Sequence, residues 1–138
     1  MIKKYLKQIL KMHKTNKNNT VTEYYKWVLQ AGESFKGAQY LENRGKMKQC
    51  YYNAQSLAIS DSQHKYYEGW GITSFIGLPF EHGFNVKNNQ VYDATWKDGR
   101  YYLGILIPIK FVRKSWHETS CANNLLFKYF MSLRGEMI

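Results

Sequence analysis

The stretch from Glu81 to Trp96 most constrains what this chain can fold into. Phe84 and Val86 are apolar positions of one arm, Val91 of a second, and the polar run Lys87-Asn88-Asn89-Gln90 lies between them. Asn tolerates the positive φ of a tight turn, so the pattern predicts a β-hairpin centred between Asn88 and Asn89. Cross-strand partners then sum to a constant: His82 faces Thr95 and Phe84 faces Asp93. Side chains alternate with period two, so His82, Phe84, Asp93 and Thr95 share one face. His82 and Asp93 become a diagonal pair, about 7 Å apart at the backbone and within reach of each other's side chains. A slip of one residue would send Asp93 to the other face.

The hairpin belongs to a longer run of strand texture. Residues 66–76 are aromatic and β-branched, and Gly77 with Leu78-Pro79 marks a turn. Lys97-Asp98-Gly99 is a second turn signal, and Tyr101 to Ile107 reads as a fourth strand, central or buried on both faces. Before this run the period is helical. Ile2, Tyr5, Leu6, Ile9 and Leu10 predict a basic amphipathic helix over 2–13. Tyr24, Trp27 and Val28 predict one over 21–30, ended by Ala31-Gly32, and Phe35, Ala38 and Leu41 a short one over 33–42. Cys50, Ala54, Leu57 and Ala58 place Cys50 in the first turn of a helix over 50–59, on its inward stripe. Leu125, Leu126, Tyr129, Phe130 and Leu133 predict a last helix over 117–133. The expected fold is α+β: N-terminal helices and a Cys-bearing helix packed on an antiparallel meander sheet of about four strands, then a C-terminal helix. The 138 residues suit one domain, with a core over 46–107 and a basic helical extension over 1–42.

Charge narrows the partners. Twenty Lys and Arg against ten Asp and Glu leave a net +10, which suits an acidic protein surface, nucleic acid or an anionic membrane. Lys3, Lys4, Lys7, Lys11, Lys14 and Lys17 fall in residues 1–18 with no acid among them, and Arg113-Lys114 adds a second basic segment. A lysine-faced helix also has an ordinary reading, as the solvated side of a docked helix. No apolar run has the length of a membrane span, and the N-terminus lacks the apolar stretch of a secretory signal, so a soluble, cytoplasmic protein is expected. The two cysteines are too few for a disulfide framework, and a bridge between them does not suit a reducing cytosol. His117 and Cys121, at i and i+4, offer two ligands, which do not make a metal site. No phosphate-binding glycine loop or RNA-binding strand signature is present, and no cofactor is implied. Richness in Lys, Asn, Tyr and Ile with two prolines fits an AT-rich bacterial or phage genome.

A Cys that opens a helix, a His on a strand and an Asp on the next strand combine into one constellation. In Gln49-Cys50 through Ala58, Glu81-His82-Gly83-Phe84-Asn85-Val86 and Val91-Tyr92-Asp93-Ala94-Thr95-Trp96, the chain resembles the transglutaminase-like branch of the papain-like cysteine enzymes. The likeness spans about residues 46–107, and the Asp-x-Thr-Trp strand end matches best. It implies Cys50 as thiol nucleophile, His82 as general base and acid, and Asp93 as the group that orients His82. It further implies thioester chemistry on a protein substrate: peptide or isopeptide cleavage, Gln deamidation or glutamyl transfer. The physical case agrees, since a first helical turn and a neighbouring imidazole favour a thiolate and a carboxylate fixes the imidazole tautomer. Papain-like enzymes often carry a Gln several residues before the Cys and a Trp after it. Here Arg44 stands six residues before, and Tyr51 follows. The Cys50 N–H supplies one oxyanion donor, with Gln49, Asn43 and Gln55 as candidates for the second.

Taken singly, each residue has an ordinary role: a small hydrophobe for Cys50, a satisfied structural histidine for His82, a cap or ion pair for Asp93, a solvated strand charge for Glu81. Trp70 and Trp96 read as core and rim. The alternative to an enzyme is a non-catalytic basic protein of the same fold, one that inhibits a host factor or binds nucleic acid through its lysines.

Overall fold

The computed structural model describes residues 1–13, 19–42 and 45–135. Along them run α1 (Ile2–His13), α2 (Asn19–Ala31), β1 (Glu33–Lys36), β2 (Gln39–Tyr40), α3 (Cys50–Ser60), β3 (Lys65–Thr73), β4 (Phe80–Lys87), β5 (Gln90–Asp93), β6 (Gly99–Leu106), α4 (Ile109–Thr119) and α5 (Leu126–Leu133). The strands form one sheet in the order β1-β6-β3-β4-β5-β2. All neighbours are antiparallel except β2 and β5, which are parallel. The class is α+β, as expected, but the sheet is wider than a four-stranded meander and differently connected. β6 pairs with β3 rather than with β5, so β3 and β4 form the middle of the sheet.

The hairpin has the anticipated register. Asn85 pairs with Tyr92, Val86 with Val91 and Lys87 with Gln90, and both turn residues, Asn88 (φ 52°) and Asn89 (φ 61°), are left-handed. The two positive φ values match the right-handed twist of the arms, which is why Asn is suited here. The second arm is shorter than expected. Asp93 Oδ1 accepts the N–H groups of Thr95 and Trp96, each at 2.9 Å, and this side-chain turn bends the chain out of the ladder. Thr95 therefore does not face His82; its hydroxyl accepts a hydrogen bond from Asn53 Nδ2 at 2.8 Å.

Three further expectations change. Residues 33–42 form two short strands, not a helix. Phe35 packs against the rings of Tyr67 and Phe84, Glu33 accepts the Tyr67 hydroxyl at 2.7 Å, and Gly37 at φ 78° separates the strands. The two strands cover opposite edges of the sheet, and the unpaired β6 and β5 backbones attract them more than a short isolated helix would repay. The strand expected to reach Ile76 ends at Thr73, after a register shift at Ile72/Thr73. The helix expected over 117–133 covers only the last turn of α4, a non-helical stretch and α5, and α4 itself starts at Ile109, ahead of the expected span. Ser120 closes α4 in the left-handed conformation at φ 57°, its N–H bonded to Trp116 O at 2.9 Å, and α5 begins only at Leu126.

The sheet packs apolar side chains on both faces. On one face Tyr66, Trp70, Ile72, Leu103 and Ile105 meet Ile2 and Leu6 of α1, Tyr24 and Val28 of α2, Ala54 and Ala58 of α3 and Phe130 of α5. Residues 1–42 thus contribute to the main core rather than extending from it. On the other face a smaller cluster joins Tyr67, Phe84, Val86, Val91 and Tyr102 with Phe35, Ala38 and Trp96. Small Ala54 and Ala58 let α3 lie close on β4, where Asn85 Nδ2 donates to Ala54 O at 2.9 Å. That contact sets the position of the first turn of α3 relative to the strand that carries His82. Among the described residues no helix is long and apolar enough to cross a membrane.

Candidate active site

The site grows from three backbone positions. Cys50 is the first residue of α3, whose first intrahelical bond runs from Asn53 N–H to Gln49 O at 2.9 Å. Among the described residues no side chain caps this end, so the N–H groups of Cys50, Tyr51 and Tyr52 leave a partial positive charge at the thiol. His82 lies on β4, paired with Gly69 of β3, and Asp93 is the last residue of β5. Cys50 is half-buried, while His82 and Asp93 are buried.

His82 Nε2 lies 2.8 Å from Asp93 Oδ2. The same oxygen accepts the Tyr102 hydroxyl at 2.7 Å, and Oδ1 holds the two N–H groups of the turn. Two N–H groups and the Tyr102 hydroxyl donate to this one carboxylate, which favours its ionised, acceptor-only form. Burial alone would raise the Asp93 pKa, but the bond and charge of His82, the Trp96 N–H and the Tyr102 hydroxyl outweigh it and hold the pKa below its ordinary value. It follows that Nε2 carries the proton shared with Asp93. Burial likewise opposes a charged His82. The hydrogen bond and charge of Asp93, followed by interactions with Cys50, push the imidazole up to about 9.

The other ring nitrogen, Nδ1, is buried and has no hydrogen-bond partner among the described residues. Cys50 adds to the upward shift of the imidazole after Asp93, which places the thiol near the ring. A buried polar atom without a partner costs about 1–3 kcal/mol, a cost that the fold accepts at this ring. Trp96 stacks on the imidazole, with ring centroids 3.6 Å apart and planes 7° from parallel. It covers the His82–Asp93 bond and excludes water from it. Gly71 makes room for this indole, since a Cβ there would lie 2.5 Å from Trp96 Cζ3.

Of the oxyanion candidates, Gln55 is committed elsewhere. Its Nε2 donates to Tyr66 Oη at 3.1 Å and to Asn123 O at 2.7 Å, and its Oε1 accepts the Trp116 indole N–H at 2.6 Å. Both of its N–H bonds are used in the core, so it offers no donor to Cys50. Gln49 precedes the nucleophile candidate and lines a surface pocket with Tyr52, Trp116 and Cys121. Asn43 lies outside the described residues, as do Lys14 and Lys17. Lys3, Lys4, Lys7 and Lys11 are exposed along α1, and Arg113 and Lys114 along α4. Lys114 sits 3.9 Å from Glu118 one turn on. Both thiols, Cys50 and Cys121, are free.

Sequence reasoning missed Tyr102 altogether and read Trp96 as core or rim. Tyr102 reaches Asp93 because β6 returns to β3, and no local pattern announces that pairing. Trp96 had a signal, since it closes the Asp-x-Thr-Trp stretch, but its stacking on His82 depends on the turn that Asp93 makes. Behind this site, on the opposite face of the sheet, Glu68 of β3 is buried. It accepts the Tyr66 hydroxyl at 2.7 Å and the N–H groups of Leu125 and Leu126 at 2.7–2.9 Å. Burial drives its pKa up, these donors pull it back, and the result is about 7. Compared with protein-family models, curated proteins and solved structures, the chain finds no match.

Proposed function

We propose that this chain performs cysteine-dependent acyl chemistry on a protein amide, with Cys50 as nucleophile, His82 as general base and acid, and Asp93 as the group that orients and charges His82. The observation that carries this reading is the buried His82 Nε2–Asp93 Oδ2 bond at 2.8 Å, with Cys50 near enough to add to the upward shift of the same imidazole. In this scheme Nδ1 takes the thiol proton and the sulfur attacks the amide carbon. The N–H groups of the first turn of α3 stabilise the oxyanion, and the imidazolium returns the proton to the leaving amine. Water or a second amine then opens the thioester, giving hydrolysis, deamidation or transfer. The resemblance to transglutaminase-like and papain-like cysteine enzymes supports the same assignment, in a cytoplasmic setting where thiols stay reduced.

The test is the rate of Cys50 alkylation by iodoacetamide against pH, in a Cys121→Ala background. The expected result is reaction that persists at mildly acid pH and falls at least about tenfold in His82→Ala. A rate that is low at mildly acid pH and indifferent to His82 would overturn the proposal. A second reading, a basic binding protein, rests on the four exposed lysines of α1, which form a continuous charged face without using the cysteine. It predicts salt-sensitive binding that Cys50→Ser leaves intact.

A further inference from the structure

A cleft of about 240 Å³ lies on the face of the sheet opposite His82, between β3, β4 and the helices that cover them. Tyr24, Tyr25, Tyr51 and Trp70 form aromatic walls, and the two acidic groups are Glu68 and Glu81. In a chain with twice as many basic as acidic residues, no described residue that lines this cleft is basic. Glu68 is already engaged by three donors. Glu81 is exposed, pairs with Trp70 across β4 and β3, and forms no ion pair among the described residues. Its oxygens are the ones available to a ligand.

The position of the cleft matters as much as its lining. Tyr51 follows Cys50, and Glu81 precedes His82. The cleft therefore touches the two chain segments that carry the candidate nucleophile and base, one residue from each. Aromatic faces attract cations and cover aliphatic stems, and a carboxylate at the mouth receives the charged head. A hydrophobic stem with a cationic tip is the chemistry of a lysine or arginine side chain.

We propose that this cleft is a specificity subsite for a lysine or arginine side chain next to the acyl group presented to Cys50, with Glu81 taking the cationic head. The inference rests on the cysteine chemistry proposed above and adds a substrate class to it. The net charge favours acidic partners at long range, while the subsite reads one cationic side chain at contact range.

Two measurements test it. In the first, Nα-acetyl-lysine N-methylamide and its norleucine counterpart are titrated into the full chain, with the Trp70 indole N–H followed by NMR. The lysine probe is expected to shift that resonance, the norleucine probe to bind at least about tenfold more weakly, and Glu81→Gln to bring the two together. In the second, Cys50 is alkylated by lysine and norleucine chloromethyl ketones in the Cys121→Ala background. The lysine reagent is expected to react about tenfold faster, with the ratio falling toward one in Glu81→Gln. Equal rates at a reactive Cys50, or a preference that survives Glu81→Gln, overturn the subsite and leave the cysteine chemistry standing. A Trp70 response to lysine with Cys50 inert to both reagents overturns the cysteine chemistry and leaves the cleft as a cation site.

Discussion

Asp93 divides its two oxygens between two tasks. Oδ1 ends the strand by holding the Thr95 and Trp96 N–H groups, and Oδ2 holds His82 and Tyr102. Because His82 is raised to about 9 from an ordinary value of about 6.5, its stabilising contribution is fully present below about pH 6.5 and is lost as pH rises through 9. Asp93 is shifted the other way, so its contribution is present above about pH 4 and is lost as pH falls further. The pair is strongest between those limits. Asp93→Asn is expected to cost about 3 kcal/mol at neutral pH, as removal of one partner of a buried ion pair does. It should also flatten the decline between about pH 7 and 9. Urea unfolding at several pH values measures both, and an unchanged slope would assign the raised His82 pKa to something other than Asp93. The His82–Asp93 pairing was legible from the Asn88-Asn89 turn because hairpin register is a local property. The Tyr102 bond was not, because it needs β6 beside β3.

Elements meet at two points that control the site and its surroundings. Trp96 can lie flat on His82 only because residue 71 of β3 has no side chain. Gly71→Ala should tilt the indole off the imidazole, with a stability cost of about 1–3 kcal/mol. Near-UV circular dichroism and thermal unfolding report the two effects. A native-like aromatic spectrum with unchanged stability would show that the indole has room to yield. On the opposite face, Glu68 closes the N-terminus of α5. Its pKa of about 7 in the fold exceeds the ordinary carboxyl value of about 4.3. The fold therefore holds the proton more tightly than the unfolded chain does. Stability from this group is full below about pH 4 and declines as pH rises through 7. Glu68→Gln should abolish that decline while keeping an acceptor for the helix, and a persistent slope in the variant would exclude Glu68 as its source. The break between α4 and α5 that creates this capped end was not legible. The apolar spacing of 125–133 is helical, but the left-handed Ser120 closes α4 and residues 120–125 separate it from α5.

At the scale of the molecule, the lysines of α1 and the candidate site stand on different elements. The exposed lysines of α1 stand on a helix whose Ile2 and Leu6 join the main core, so the basic surface is part of the folded body and cannot be removed without exposing apolar side chains. Exchange of Lys3, Lys4, Lys7 and Lys11 for Gln leaves that apolar stripe intact. If this face binds a polyanion, the exchange should weaken binding of single-stranded oligonucleotide and reduce the salt slope by about 0.7 for each phosphate no longer neutralised. Fluorescence anisotropy over a salt series measures it. Absence of any salt-sensitive binding in the parent chain would leave α1 with a solvated lysine face alone.

The amino-acid sequence alone determined the features that depend on near neighbours. Helical period located α1, α2 and α3, alternation with the Asn88-Asn89 turn set the register of β4 and β5, and the first-turn position of Cys50 followed from the phase of its helix. These depend on backbone preference and on apolar side chains a few residues apart. Tertiary structure alone decided what depends on distant partners. It drew 33–42 into strands to cover open sheet edges, returned β6 to β3, spent Gln55 on the core, laid Trp96 over His82 and placed an acidic, aromatic cleft behind Cys50. Each of these is settled by competition for unpaired backbone groups or apolar area between residues far apart in the chain, a competition that local spacing does not encode.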